Sequence, residues 1–245
     1  MWSKDGFATD SLKILKTLRD GGAAYQVLLF SATFSDTVRV FAEKVVGAQA
    51  NKLFLKAEEL SLEVIKQYRV ECPNTLAKEA VLTKMIFPAA EKLGQSIIFV
   101  RSRARAKQLH DTLEASGHKC TSISGQATHE ERDKVIREFR AGTTKVLIST
   151  DVLSRGFDHA AVTLVVNFDP PMTVSGNQPA FETYMHRIGR SGRFGRPGAA
   201  FNLLCGEEEK RSLDAISAHF APPIPPVPYN DEEAFEAVLK KAGLA

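Results

Sequence analysis

Cysteine and histidine are sparse. The three cysteines in 245 residues, Cys72, Cys120 and Cys205, are odd in number and scattered, which argues against a disulfide framework and leaves no zinc-ligand spacing. Cys120 and Cys205 sit in apolar runs and read as small core residues. The six histidines form no H-E-x-x-H pair, so a metalloenzyme is disfavoured. No apolar run approaches the ~18 residues of a membrane span. The start, Met1-Trp-Ser-Lys-Asp5, has neither a signal-peptide core nor a transit-peptide bias, and the chain reads as soluble and intracellular. A strong net charge is lacking too: 32 Lys and Arg stand against 29 Asp and Glu, so the placement of charge must decide whether nucleic acid is a partner. No G-x-x-x-x-G-K-[ST], no Asp-Glu-Ala-Asp and no G-x-G-x-x-G follows a strand. A dehydrogenase is thereby disfavoured, and a phosphate-cradling loop and magnesium-holding acid are both missing.

What is present is an alternation of short apolar runs with helical stretches. The runs are Gln26–Phe30, Ser96–Val100, Cys120–Ser124, Lys145–Ser149, Val162–Asn167 and Ala199–Leu204. Several are continuous rather than alternating, as expected of strands covered on both faces, and the pattern predicts an α/β fold with a doubly wound parallel sheet and flanking helices. Ser102 is placed to cap a helix running to Ser116 and closed by Gly117. Thr128-His-Glu-Glu131 has the capping-box pattern for a helix ending at Gly142. Residues 1–55 differ: a helix near 11–19, a strand at 27–30, a helix near 36–46 and a short strand at 52–55 are too few strands for a domain. They read as the tail of a first domain, followed by a polar linker at 56–62 and a second domain at 63–245. The proline-rich run Pro222–Pro228 should be extended, and a last helix is expected from Asp231 to Lys241.

Four segments carry the chemistry. His186-Arg-Ile-Gly-Arg-Ser-Gly-Arg-Phe-Gly-Arg196 repeats arginine every third residue with no acid between. Such a cluster suits phosphate, because a guanidinium makes two charge-assisted bonds; Arg190 and Arg193 should point the same way. The alternative is a solvated basic loop. Thr150-Asp-Val-Leu-Ser-Arg-Gly-Phe-Asp158 follows a strand directly, where ligands of open α/β sheets sit. Thr150 offers a hydroxyl to phosphate and Asp158 a carboxylate to sugar hydroxyls, against the bland reading of a cap and a turn. Ser31-Ala-Thr33 ends another apolar run and can relay hydrogen bonds, though such tripeptides are common caps. Arg101-Ser-Arg-Ala-Arg105, and Ser124-Gly125 leading to Arg132, form basic or polar loops suited to a phosphodiester track or to plain solvation.

Together and in this order the segments resemble the DEAD-box ATP-dependent RNA helicases of superfamily two. Ser31-Ala-Thr33 is similar to the family's third motif, Ile97–Arg103 to the fourth, Thr150–Asp158 to the fifth and His186–Arg193 to the sixth. The resemblance covers roughly residues 10–220 and implies two RecA-like domains: a remnant of the first and the whole of the second, C-terminal one. By the resemblance, Arg190 and Arg193 are arginine fingers, Gly156 and Asp158 contact the nucleotide, and Arg101, Gly125, Arg132 and Thr150 contact RNA. Ser31, Thr33, His186 and Arg187 couple the two sites. ATP and Mg2+ would be held mainly by the missing first domain, so this half alone should not hydrolyse ATP. His129 departs from the family's glutamine, Phe157 from its isoleucine and Ser154 from its alanine. The long stretch Met172–Phe181, with Ser31–Val46 and Ile65–Tyr68, resembles the mRNA-export subgroup. That implies work on RNA–protein particles, in the cytoplasm or nucleus, at the cytoplasmic face of the nuclear pore. It also implies an export factor with inositol hexakisphosphate, and a nucleoporin. A non-enzymatic RNA-binding or adaptor module is the alternative. The apolar strand at 27–30 is expected to pack on the second domain or, through self-association, on another copy of the chain.

Overall fold

The computed structural model describes residues 7–22, 24–31, 36–47, 49–54, 65–88, 94–123, 128–153, 157–173, 175–176, 178–193, 195–220 and 223–244. The chain divides into two units, Met1–Leu55 and Lys56–Ala245. The expected linker at 56–62 lies outside the described residues.

In the first unit, α1 spans Phe7–Asp20 and α2 spans Asp36–Val46. Val38 and Ala42 on α2 are buried, Lys52 reaches Glu43 at 3.0 Å, and Arg39 lies 5.0 Å over the Phe54 ring. The strands expected at 27–30 and 52–55 are absent from the described residues. Residues 24–31 run as coil, with Leu28 68% and Phe30 89% exposed. An apolar run becomes a strand only where a ladder receives its backbone groups, and none does so among the described residues.

The second unit is a three-layer α/β/α structure. Its elements are β1 (Ile65–Glu71), α3 (Thr75–Val81) continuing into a π-helical segment (Leu82–Ile86), β2 (Gln95–Phe99), α4 (Arg103–Ala115), β3 (Cys120–Ile123), α5 (His129–Arg140), β4 (Val146–Ser149), β5 (Val162–Asn167), α6 (Phe181–Ile188), β6 (Gly198–Leu204), α7 (Gly206–Phe220) and α8 (Glu232–Lys241). The strands are all parallel, in the order β1-β6-β5-β2-β4-β3. Because successive strand residues face opposite ways, Ile97, Leu147, Val165 and Ala200 pack against α5, α6 and α7 through Phe139, Tyr184, Ile188 and Leu213. Their neighbours Ile98, Ile148, Val166 and Phe201 pack against α3, α4 and α8 through Val81, Leu109, Leu113 and Phe235. With both faces covered, the central strands are apolar without alternation.

The helix ends follow local chemistry. The Ser102 side chain accepts from the Arg105 amide at 3.2 Å. Thr128 and Glu131 complete the capping box, each side chain accepting the other's backbone N–H at 3.2 and 2.8 Å. Gly117 and Gly142 adopt φ of 84° and 75°, and the amides of His118 and Thr143 return to Leu113 and Glu138, so both helices close in the glycine-dependent left-handed turn. β1 carries Lys66, Arg69 and Glu71 among its seven residues, and its apolar signal is correspondingly weak. Its outer edge is covered by the proline-rich run: Arg69 N–H donates to Pro225 O at 3.0 Å and Val227 N–H to Arg69 O at 2.8 Å. An extended segment whose Pro226 has no N–H extends the sheet by a bridge and offers little for further pairing.

Candidate nucleotide and nucleic-acid site

The strand order places the carboxyl ends of β4, β2 and β5 side by side, so the loops after them emerge at one edge. The Arg101 amide donates to Asp169 Oδ2 at 2.8 Å, tying the loop after β2 to the loop after β5. Val100 N–H donates to Ser149 O at 2.9 Å, and Ser149 Oγ to Thr150 O at 2.7 Å. Arg101 and Thr150 therefore leave adjacent strands together. The Arg101 guanidinium is about half exposed, 3.7 Å from Glu209. Arg132 sits in the first turn of α5, its amide donating to Thr128 O. Gly125, Gly156 and Thr33 lie outside the described residues, and Ser31 is an exposed residue of the first unit.

The arginine-rich segment does not behave as one basic surface. Arg187, on the inward face of α6, is 1% exposed. Its Nε donates to Asp151 Oδ1 at 2.6 Å, and its Nη1 to Asn167 Oδ1 at 3.2 Å and Asp169 O at 2.8 Å. The guanidinium lies 5.1 Å over the Phe99 ring. Burying this cation is tolerable because a carboxylate and two further acceptors surround it. Arg187 thus ties α6 to the ends of β4 and β5. Asp151 is its counter-ion.

Arg190 and Arg193 follow the end of α6 at Gly189. Each folds back on the carbonyl four residues earlier: Arg190 Nε donates to His186 O at 2.9 Å and Arg193 Nε to Gly189 O at 2.8 Å. Both side chains are held the same way by capping the last carbonyls of a helix. Arg190 is 9% exposed and also donates through Nη1 to Phe157 O. Burial and the neighbouring Arg193 cation pull its guanidinium down to about 10, against the opposing pull of Asp158. It stays charged at neutral pH, and an incoming anion would relieve the strain of that charge. Arg193 pairs with Asp158 at 2.5 Å. Since the carboxylate is half exposed, the pair is worth at most about 1 kcal/mol and exchanges readily for a stronger anion.

Asp158 is flanked by buried Phe157 and by His159, whose Nε2–H donates to Gln95 Oε1 at 2.6 Å. Burial, and then the Arg140 cation, lower the His159 pKa; Asp158 opposes them. The edge therefore brings together one half-exposed carboxylate, Asp158, and the guanidiniums of Arg190 and Arg193, each held on backbone carbonyls. Among the described residues no group of three or more His, Cys, Asp or Glu is placed to hold a metal ion.

Residues 77–195 match the model of the helicase conserved C-terminal domain. The rice protein DEAD-box ATP-dependent RNA helicase 38 is 47% identical over 246 residues, covering 100% of this chain and 48% of the relative. The solved C-terminal domain of the DEAD-box protein Dbp5 is 38% identical and superposes with a TM-score of 0.66, over 74% of this chain and 99% of that one. The chain belongs to the DEAD-box RNA helicase family. The chain spans about half the length of the curated relatives it matches. S. cerevisiae Dbp5 bound to RNA and ADP BeF3 matches 94% of this chain and 58% of that one at 38% identity, with a TM-score of 0.83. A single-substitution variant of that Dbp5, bound to nup159, a gle1 variant, IP6 and ADP, matches 98% of this chain and 60% of that one at 34% identity, with a TM-score of 0.71.

The doubly wound RecA-like reading of the sheet therefore stands. Within this DEAD-box unit the fifth and sixth motifs meet directly through Arg193–Asp158, Arg190–Phe157 and Arg187–Asp151. Sequence reasoning missed the partners of these arginines. Asn167 and Asn202, amides inside otherwise apolar strands, were the available signal.

Proposed function

We propose that this chain is the C-terminal part of an ATP-dependent DEAD-box RNA helicase, in which Arg190 and Arg193 act as fingers on the γ-phosphate and Asp158 receives the ribose. The observation that carries the reading is the shared edge where Asp158 and the two guanidiniums converge. Arginine fingers neutralise charge developing in the transition state and are worth ~10³–10⁵ in rate. Here they are preorganised by their own helix carbonyls, and Arg193 exchanges Asp158 for phosphate when the nucleotide arrives, freeing the carboxylate for hydroxyls. ATP with Mg2+ supplies the phosphoryl group; its phosphate loop and metal acids belong to a preceding RecA-like domain, of which residues 1–55 are the remnant, joined by the linker at 56–62. Arg101, Thr150 and Arg132, with Gly125, line an RNA backbone track, and base identity matters little because the contacts fall on phosphates. Gly156 lies against the nucleotide; Ser31, Thr33, His186 and Arg187 couple the two sites.

The family resemblance and the relatives solved with gle1, IP6 and nup159 support a role in mRNA export at the nuclear pore, with an export factor, inositol hexakisphosphate and a nucleoporin as partners. The test is RNA-stimulated ATP hydrolysis by this chain alone, and mixed with a separately made first domain of the same protein. Silence alone, activity on mixing, and loss with Arg190→Ala are expected. Activity of the chain alone that survives Arg190→Ala would refute the assignment, and RNA binding without activity in any mixture would favour the adaptor reading.

A further inference from the structure

A buried chain of amides runs away from Arg187, and every link in it has a defined direction. Arg187 Nη1, which can only donate, faces Asn167 Oδ1. Asn167 Nδ2 donates to Asn202 Oδ1 at 2.8 Å. Asn202 Nδ2 donates to the Tyr68 carbonyl at 3.0 Å and to the Tyr184 hydroxyl at 3.2 Å. Tyr184 in turn donates its proton to Gln67 Oε1 at 2.7 Å. The path crosses β5, β6 and β1 beneath α6, and Gln67, Asn167, Tyr184, Arg187 and Asn202 are all buried. Burial raises the Tyr184 phenol, which stays a neutral donor.

A pure acceptor, the Tyr68 carbonyl, stands near one end and a pure donor, Arg187, at the other, so each amide has one satisfied orientation. If Asn202 no longer accepts from Asn167, the Asn167 Nδ2–H loses its acceptor and the amide loses the bond that fixes it against the guanidinium. One of the three acceptors of the buried Arg187 is then no longer held in place.

We propose that Asn202, with Asn167 and Tyr184, is a positioning residue: it fixes the amide that holds Arg187, and through Arg187 the helix end from which Arg190 and Arg193 project. The link to the fingers is short, since the Arg190 amide donates to Arg187 O at 3.1 Å. The proposal rests on and deepens the functional reading above, and its positioning residues lie outside the segments compared with the family's motifs in the sequence.

The test uses the 15N-labelled chain and reads solvent exchange of the Arg187 Nε–H, which needs no ATP hydrolysis. Asn202→Leu keeps the volume and removes the acceptor; Tyr184→Phe is a milder second variant that removes only a hydroxyl. Tyr68→Phe is the control: it deletes a partly buried hydroxyl bonded to Val238 O but keeps the backbone carbonyl that Asn202 uses. Exchange should quicken about tenfold in Asn202→Leu, less in Tyr184→Phe, and remain unchanged in Tyr68→Phe. In the protein assembled with its first domain, Asn202→Leu should lower kcat with little change in KM for ATP. Unchanged Arg187 exchange in the folded Asn202 and Tyr184 variants, or equal quickening in Tyr68→Phe, would overturn the proposal. If Asn202→Leu does not fold, Tyr184→Phe decides by the same criterion. Silence of the unmutated assembly with ATP would refute the functional reading and leave the exchange result to decide this one.

Discussion

Lys78 is a buried cation outside the arginine segment. It is 2% exposed, and its Nζ donates to Glu209 Oε2 at 2.6 Å and to Phe168 O at 2.8 Å. Glu209, also largely buried, accepts the Cys205 amide at 2.7 Å and stands 3.7 Å from Arg101. Lys78→Met keeps the aliphatic stem and removes the charge and both hydrogen bonds. Breaking one side of a buried pair costs about 3–5 kcal/mol. Glu209 retains an amide, a nearby arginine and the favourable N-terminal turn of α7, so the lower end, about 3 kcal/mol, is expected. For a unit of this size that corresponds to a fall in Tm of roughly 6–12 °C. Urea unfolding followed by circular dichroism should show a lowered midpoint at constant slope. Glu209→Gln should cost a similar amount, leaving Lys78 without its carboxylate. The double variant should be more stable than the sum of the two, by about 2 kcal/mol of coupling. A Lys78→Met protein within about 1 kcal/mol of the parent, or strictly additive singles, would refute the claim that this pair holds α3, the end of β5 and α7 together.

Gly198 opens β6 directly against the arginine loop: a Cβ there would stand 2.4 Å from Gly192 N and 2.8 Å from Gly192 Cα. Gly198→Ala should therefore destabilise by about 1–3 kcal/mol and shift the amide resonances of Ser191–Arg193, measured by urea unfolding and NMR. The folded state holds the His159 pKa below its ordinary 6.5, so the unfolded chain binds the proton first. Its contribution to stability is therefore complete above pH 6.5 and shrinks as pH falls from there through the folded value. Comparing unfolding at pH 7.5 and 5.5, His159→Gln should lose less stability on acidification than the parent. Burial pushes the Cys72 thiol up to about 11 and Cys120 up to about 12, whereas Cys205 is only partly buried. Iodoacetamide should modify Cys205 first in the native chain, as read by peptide mass spectrometry.

Much of the second unit was legible because its signals are local or repeated. Ser102, Thr128 with Glu131, and the glycines after both helices act within one turn, so the ends of α4 and α5 follow from neighbours in the chain. The central strands β2, β4, β5 and β6 announce themselves as largely apolar runs because helices cover both faces. The same rule misled at 27–30, where an apolar run has no ladder among the described residues. It was silent for β1, whose charged residues mask an edge strand completed by a proline-rich segment far along the chain. The basic and acidic residues of Thr150–Asp158 and His186–Arg196 likewise stood out by composition and spacing.

Tertiary structure decided what each of those arginines does. Spacing alone makes Arg187, Arg190 and Arg193 look alike. Packing separates them into a buried tie on Asp151 and Asn167, a nearly buried cation on two carbonyls, and a half-open partner of Asp158. The amides that orient Arg187, and the carboxylate that accompanies Lys78, come from strands and helices distant in sequence. Their effect depends on burial and on which atom faces which, since an unpaired polar group inside the protein is costly and the same group in water is not. Residue types and short-range order are properties of the chain; the charge state, direction and partners of a buried polar group belong to the fold.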